Sequence, residues 1–407
     1  MNRRTVLIGG GAVAALAAGS AYASFKGMGS FSAYDQAARA MRAPVSVPPQ
    51  TQDLIRYATL APSGHNTQPW RFAIAEGSIV IHPDFSRRTP AVDPDDHHVF
   101  VSLGCAAETL ALAAAAQGLA GEPVFDAAAD GSIGFAYRAA SGAPSVLFDA
   151  IPQRQSTRAE YDGRPVSAED LTTLAATAVM PGVDLILITD APQRDRLRDL
   201  VLSANTAQMS DPAFVRELKS WLRFSPRRAL DMGDGLYGPT SGSPPLPEWL
   251  GPRFFDLFFK AKSENDKYAR QLQSSAGIAV FVGAQVDPEH WVQVGRACQR
   301  FALQATALGL KCCFVNQPVD PRRCFMTKPQ TVFETTRRDS QDLHKKILAN
   351  IASAKGQTWT DVKTMQAEVL ALAARMKTIA EDQSDAIKAG LRAAIGKLGR
   401  IVSHRVV

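Results

Sequence analysis

Two short segments of this 407-residue chain concentrate side chains able to hold a ligand. The first is Ala61-Pro62-Ser63-Gly64-His65-Asn66-Thr67-Gln68-Pro69-Trp70-Arg71-Phe72. Pro62, Gly64 and Pro69 stop any preceding helix and force a turn, which leaves Ser63, Asn66 and Gln68 to meet either solvent or a ligand. Asn and Gln each offer a donor and an acceptor, which suits a ring whose edge alternates C=O and N–H groups. The second segment is Gln153-Arg154-Gln155-Ser156-Thr157-Arg158-Ala159-Glu160-Tyr161-Asp162. Its two arginines are four apart and share one face of a helical turn. With Ser156 between them they are either a phosphate clamp built on charge-assisted hydrogen bonds or a solvated basic turn paired with Glu160 or Asp162. His65 reads as a loop residue near the ligand, not a general base. A third cluster, Asp93-Pro94-Asp95-Asp96-His97-His98, has metal-ligand residue types. Adjacent histidines on a helix face different ways, however, and the acids suit the positive end of the helix that follows. It is read as a helix start, and no metal ligand is assigned.

The elements that must position these residues follow from patterning. Residues 24–50 are small, polar and proline-bearing, and read as a linker or wrapping arm. A first α/β segment over 51–150 begins with a helix at 51–60. Two short alternating runs around Glu76-Gly77 predict a hairpin, a helix follows over 100–118, and a second hairpin turns at Asp130-Gly131. A second segment runs over 151–325. There Ser167 and Asp170 form a capping box for a helix over 171–179. Strands are expected at 183–188, as a buried strand, and at 278–282 and 312–315, with a helix to about residue 308. Residues 211–272 break this pattern with prolines, glycines and exposed-looking aromatics such as Tyr237, Trp249 and Phe255, and read as an insertion. The two segments echo each other at a spacing of 191 residues: Gly104, Ala106, Ala111-Leu112, Ala114, Ala116 and Gly118-Leu119 recur as Gly295, Ala297, Ala302-Leu303, Ala305, Ala307 and Gly309-Leu310. Small residues on one face let two such helices approach closely. A fused pseudo-dimer accounts for the echo better than two unrelated core helices.

Composition narrows the class. Hydrophobic residues make up 46% and charged residues 21%, with a net charge of +6. That is a soluble globular balance, with basic residues scattered and seldom beside aromatics, so no nucleic-acid partner is expected. The five cysteines show no zinc-like spacing, and one disulfide is allowed but not required. At the N-terminus, Arg3-Arg4 precedes a glycine- and alanine-rich apolar stretch, and Ala21-Tyr22-Ala23 fits a small-x-small cleavage site. Residues 1–23 therefore resemble a twin-arginine export signal, which implies a periplasmic or exported protein. From 326 to 407 the chain is charged. Val362, Met365, Val369, Leu372, Met376 and Ile379 space a short heptad seam, read as a helical tail for a hairpin or for oligomerisation.

Taken together, Pro62-Ser63-x-x-Asn66-x-Gln68-Pro69-Trp70 and Arg154-x-Ser156-Thr157-Arg158 resemble the flavin-binding motifs of the nitroreductase superfamily. Their order is similar to the Acg-type branch, in which two nitroreductase-like halves are fused. Asp234-Gly235-Leu236 and the proline-rich stretch after it resemble its lid. The resemblance covers roughly residues 50–320 and implies an α+β fold of two fused half-units forming a pseudo-dimer, monomeric in its core. It also implies FMN as cofactor, with NADH or NADPH as the source of electrons for an acceptor such as a nitro compound or quinone. On this reading Arg154 and Ser156 hold the phosphate, Arg158 lies near the pyrimidine edge of the ring and favours its reduced anionic form, and Ser63, Asn66 and Gln68 contact the ring or ribityl chain. The flavin does the redox chemistry, so no side chain is assigned as acid, base or nucleophile. The family's late basic residue has no counterpart after Asp320, leaving Arg322, Arg323 or the tail to complete the phosphate site. A large lid would hinder hydride donors, so an exported flavin-sequestering protein without turnover is the alternative. An interaction protein dominated by the tail is a third reading.

Overall fold

The computed structural model describes residues 25–46, 50–143 and 145–319. The export-signal and heptad readings lie outside them, as do Arg322 and Arg323. The described residues belong to one unit that ends at Arg322.

The stretch expected as a linker contains a helix, α1 (Phe31–Met41), capped by Ser30, whose hydroxyl accepts from the Ala33 amide at 3.1 Å. The Met28 carbonyl just before it accepts from the Arg227 amide at 2.8 Å, so this arm is laid on chain two hundred residues away. Helix α2 (Thr51–Ala58) buries Leu54, Tyr57 and Ala58. Strands β1 (Trp70–Ala75) and β2 (Ser78–Pro83) form the expected hairpin, turning at Gly77 with φ +69°. After α3 (His97–Ala116), strands β3 (Leu119–Asp126) and β4 (Ser132–Ala139) turn at Asp130 and Gly131, both at positive φ. The four strands make one antiparallel sheet in the order β1-β2-β4-β3. Ile79, Ile81, Ile133 and Phe135 point from it onto Leu103 and Leu110 of α3, and all six are at most 1% exposed.

Helix α4 (Val146–Ala150) leads to the arginine segment, and α5 (Ala168–Thr177) starts at the expected cap, where the Asp170 amide donates to Ser167 Oγ at 3.0 Å. Strand β5 (Val183–Ile188) precedes α6 (Ala191–Met209) and α7 (Pro212–Ser220). The short β6 (Leu222–Arg223), α8 (Pro226–Met232) and β7 (Leu236–Tyr237) come next. They are followed by α9 (Gly251–Phe258), α10 (Ala261–Ser274), β8 (Ile278–Gly283) and α11 (Pro288–Ala307). The result is a mixed α/β arrangement of helices and small sheets.

Several expectations are corrected here. Residues 211–272 are mostly helical: Pro212, Pro226 and Pro252 open helices, where the missing N–H costs nothing. Of the six aromatics expected to be exposed there, Trp249 and Phe258 are, Phe254 and Phe259 are half-buried, and Tyr237 and Phe255 are buried. Strand β5 pairs only with β8, and a two-stranded sheet leaves it half-covered instead of buried. Residues 312–315 form no strand; Cys312 makes a single parallel bridge to Ser156.

The echoed helices meet as a pair. A Cβ on Gly104 of α3 would lie 2.1 Å from the Val292 carbonyl oxygen of α11, and a Cβ on Gly295 of α11 would lie 2.1 Å from the Val101 carbonyl oxygen of α3. Each glycine thus meets the residue three before the other. Only hydrogen fits at either place. Farther along, buried Glu108 of α3 accepts from Arg296 Nε (2.8 Å) and Arg300 Nη1 (2.7 Å) of α11, and Gln299 donates to Thr109 Oγ1 at 2.9 Å.

Candidate functional site

The amide-rich loop is strained in a specific way. His65, Asn66 and Gln68 have φ of 47°, 53° and 51°, a region that residues with a Cβ rarely enter. Local bonds hold it there. Ser63 Oγ accepts from the Gln68 amide (3.0 Å), and Arg87 Nε donates to the Thr67 carbonyl (2.6 Å). Segment 233–235, part of the stretch expected as a lid, is hydrogen-bonded to the loop. The Gly235 amide donates to the Asn66 carbonyl, and Asn66 Nδ2 donates back to the Gly235 carbonyl, both at 3.0 Å. Gln68 Nε2 donates to the Gly233 carbonyl at 2.6 Å. Each of these side-chain amides thus spends one N–H on segment 233–235, and its second N–H and its oxygen remain to offer. Asp234 fixes the lid from below: its buried carboxylate bonds Arg223 (Nη2, 2.6 Å) and Arg87.

The arginine segment is not a helical turn. Residues 154–158 run extended because the Thr157 amide donates to the Cys312 carbonyl at 2.8 Å, next to the Ser156 bridge. The two arginines consequently part: Arg154 is buried and Arg158 exposed. Neither pairs with Glu160, which binds Arg270, or with Asp162, which binds Arg164. Arg154 is 9% exposed, and among the described residues its guanidinium has one hydrogen-bond partner, the Leu60 carbonyl, which accepts from Nη2 at 3.1 Å just before the amide-rich loop. Burial, then the positive charge of Arg42, lowers its hold on its proton. Arg42, at the end of α1, donates to the carbonyls of Pro152 (2.8 Å) and Arg154 (3.3 Å), and burial likewise lowers its pKa. Among the described residues no carboxylate pairs with Arg42, Arg154 or Arg158. Sequence reasoning missed Arg42, which stands alone in a low-information stretch.

Arg158 Nη1 donates to Ser241 Oγ of the lid at 3.1 Å. It also lies near His65, whose pKa falls to about 4 through burial and then through that cation. His65 Nδ1 is buried with no partner. His98 packs its Cβ 3.7 Å from where a Gly64 Cβ would sit, has a pKa of about 4 through burial and then His97, and faces Asn316 Nδ2 from Nε2 at 3.4 Å. The structure thus ties Arg154 to Leu60, just before the loop, sets Arg158 beside His65 within it, and bridges Ser156 to Cys312, while His98 packs on Gly64 and faces Asn316. Burial keeps the nearby thiols protonated, with Cys298 pushed up to about 12 and Cys312 to about 11, and the four described cysteines are free.

The histidine pair departs from the sequence reading. His97 and His98 do not diverge: both Nδ1 atoms turn to Asp93 Oδ1, at 2.7 and 3.7 Å, with ring centroids 4.0 Å apart. Asp96, the residue before α3, is left-handed (φ 62°), and the Asp93 carboxylate upstream of it lies against the first turn of the helix.

Comparison with known proteins adds an independent finding. The model of the Nitroreductase family matches residues 151–327. Two proteins of Mycobacterium tuberculosis, from strains CDC 1551 / Oshkosh and ATCC 25618 / H37Rv, are each named "Putative NAD(P)H nitroreductase". Each is 28% identical over 280 residues, covering 66% of this chain and 76% of its own length. An uncharacterized protein of the CDC 1551 / Oshkosh strain is 27% identical over 197 residues, 47% of this chain and 27% of its own. With its mixed α/β architecture, the chain carries a Nitroreductase family domain at residues 151–327 and is a distant relative of these mycobacterial proteins.

Proposed function

We propose that this protein is an FMN-binding oxidoreductase of nitroreductase type, of the Acg branch, passing hydride or electrons from NADH or NADPH to a nitro compound or quinone. The observation that carries the reading is Arg154. A guanidinium that is 9% exposed, meets one carbonyl and lies beside Arg42 with no carboxylate among the described residues calls for a strong anion. A phosphate monoester meets that need through charge-assisted hydrogen bonds. The names of the mycobacterial relatives, which specify NAD(P)H, support the same electron source.

The donor set fits FMN. Arg154, Arg42 and Ser156 would hold the phosphate, while Ser63, Asn66, Gln68 and Arg158 would frame the ring and ribityl chain. When bound, the flavin supplies the hydride and electron transfer. The chain's own part is to bind, orient and shield. Arg158 offers positive charge to the pyrimidine edge, the neutral His65 adds none, and the lid held by Asn66, Gln68 and Asp234 keeps water out. The helix echo and the reciprocal contacts of Gly104 and Gly295 support two fused half-units, a pseudo-dimer that is monomeric in its core. We place the protein in the periplasm, or outside the cell, by the twin-arginine signal at 1–23, and assign the tail at 326–407 to oligomerisation.

An absorbance spectrum of the purified full-length protein tests this. Flavin bands that bleach anaerobically on adding NADH or NADPH are expected. A colourless protein that gains no flavin absorbance from added FMN would overturn the reading. One observation favours a second outcome: the lid is hydrogen-bonded to the very amides that would meet the ring. Bound flavin that neither nicotinamide bleaches would identify a flavin-sequestering protein.

A further inference from the structure

We propose that Asp93, His97 and His98 form a binding site for a divalent first-row cation of the Zn2+ kind, at the start of α3. Asp93 is 0% exposed. Its Oδ2 caps the helix, accepting from the His98 and Val99 amides at 3.0 and 3.3 Å. Its Oδ1 accepts no hydrogen bond, although His97 Nδ1 stands 2.7 Å away. The reason lies in proton counting. Asp95 Oδ1 is 2.8 Å from the same His97 nitrogen, so two carboxylates compete for the one hydrogen it can carry. One ring nitrogen facing two carboxylates satisfies one by donation and leaves the other bare. His97 Nε2 is also buried without a partner. A cation facing His97 Nδ1 and Asp93 Oδ1 removes the conflict.

The spacing is suitable. The three donor atoms lie within 4.8 Å of one another. The Asp93 Oδ1 separations from His97 and His98 Nδ1, 2.7 and 3.7 Å, bracket the distance of about 3.4 Å between ligands of a tetrahedral ion with bonds of roughly 2.0–2.1 Å. Two imidazoles and one carboxylate suit zinc, cobalt, nickel or ferrous iron over calcium or magnesium. The positive end of α3 opposes a cation here, and the carboxylates of Asp93, Asp95 and Asp96 counter it. With His98 bound through Nδ1, its Nε2 would carry the hydrogen, and the Asn316 carboxamide, whose Nδ2 lies 3.4 Å away, would turn to present its oxygen as acceptor. Because His98 also packs on Gly64, the ion would pin the start of the strained loop. This site adjoins the amide-rich loop through His98, but none of its three ligands is among the residues assigned to the flavin, so it does not depend on that reading.

The test uses full-length, tag-free protein stripped with a chelator and titrated with Co2+, read as the difference spectrum against Mg2+. One equivalent should give the visible ligand-field bands of a four-coordinate ion, and Zn2+ should abolish them. Asp93→Asn, which keeps an acceptor for the helix cap, and His98→Gln should each weaken uptake at least tenfold, with folding checked by circular dichroism. Wild-type protein that gives no such bands would overturn the proposal. So would uptake undiminished in whichever of the two variants folds.

Discussion

Replacing Arg154 by methionine separates a ligand-holding role from a structural one, because the two predict opposite signs. The guanidinium is 9% exposed, donates one hydrogen bond to Leu60 and lies near Arg42. Methionine fills similar volume without the charge. Truncating one side of a buried charge-to-charge contact costs about 3–5 kcal/mol, so the FMN dissociation constant of Arg154→Met should rise roughly 100- to 1,000-fold or more. The ligand-free protein should respond the other way. It loses one hydrogen bond from a charged donor, worth about 1.5–3 kcal/mol, and sheds the larger cost of burying an unpaired cation beside another. Its stability should be unchanged or higher by about 1 kcal/mol. Quenching of flavin fluorescence gives the affinity, and urea unfolding of flavin-free protein gives the stability. Saturating flavin at a hundred times its dissociation constant should add about 2.7 kcal/mol to wild type and far less to the variant. A variant that binds FMN normally yet loses more than about 2 kcal/mol without ligand would refute the reasoning, since Arg154 would then be a structural prop.

Three further outcomes are expected. Gly104→Ala puts a methyl 2.1 Å from the Val292 carbonyl oxygen and should lower stability by about 3 kcal/mol, seen as a lower urea midpoint; an unchanged midpoint would contradict the close crossing. Asp234→Asn leaves Arg223, 5% exposed, without its counter-charge; the lid should become sensitive to limited proteolysis within 233–245 and release bound flavin faster, and wild-type cleavage kinetics would count against the clamp. His65 has a folded pKa of about 4, below the ordinary 6.5, so the unfolded chain binds the extra proton on acidification. Its contribution is full above about pH 6.5 and is lost as pH falls toward 4, by at most about 3 kcal/mol. The stability of His65→Gln should therefore fall less steeply across that window, and parallel curves would show His65 to be uninvolved.

What could be read from the sequence was what local patterning encodes. Gly77 and Asp130-Gly131 announced their hairpins, Ser167 its helix, and the apolar run at 183–188 its strand, because in each the deciding interaction lies within a few residues. The repeated glycines and alanines also marked α3 and α11 as a closely packed pair. Other features depended on distant chain. Residues 154–158 run extended because Cys312 pairs with them, and this alone buries one arginine while exposing the other. Arg42 meets Arg154 only because the arm returns across the molecule. Pro212, Pro226 and Pro252 read as interruptions, since a proline that opens a helix and one that ends it look the same until the following turn is paired. The convergence of His97 and His98 on Asp93 lies in the choice of side-chain rotamers, which spacing cannot reveal.

The crossing of α3 and α11 sets which motions remain open to the molecule. With each backbone seated against a carbonyl of its neighbour, neither helix can slide or roll without collision, so the pair acts as a fixed axle. On the proposed function, entry to the region around Arg154 would then fall to segment 233–235, which the carboxylate of Asp234 holds. Selection for faster or slower exchange of cargo would then act on that latch and its two guanidinium partners, leaving the axle untouched.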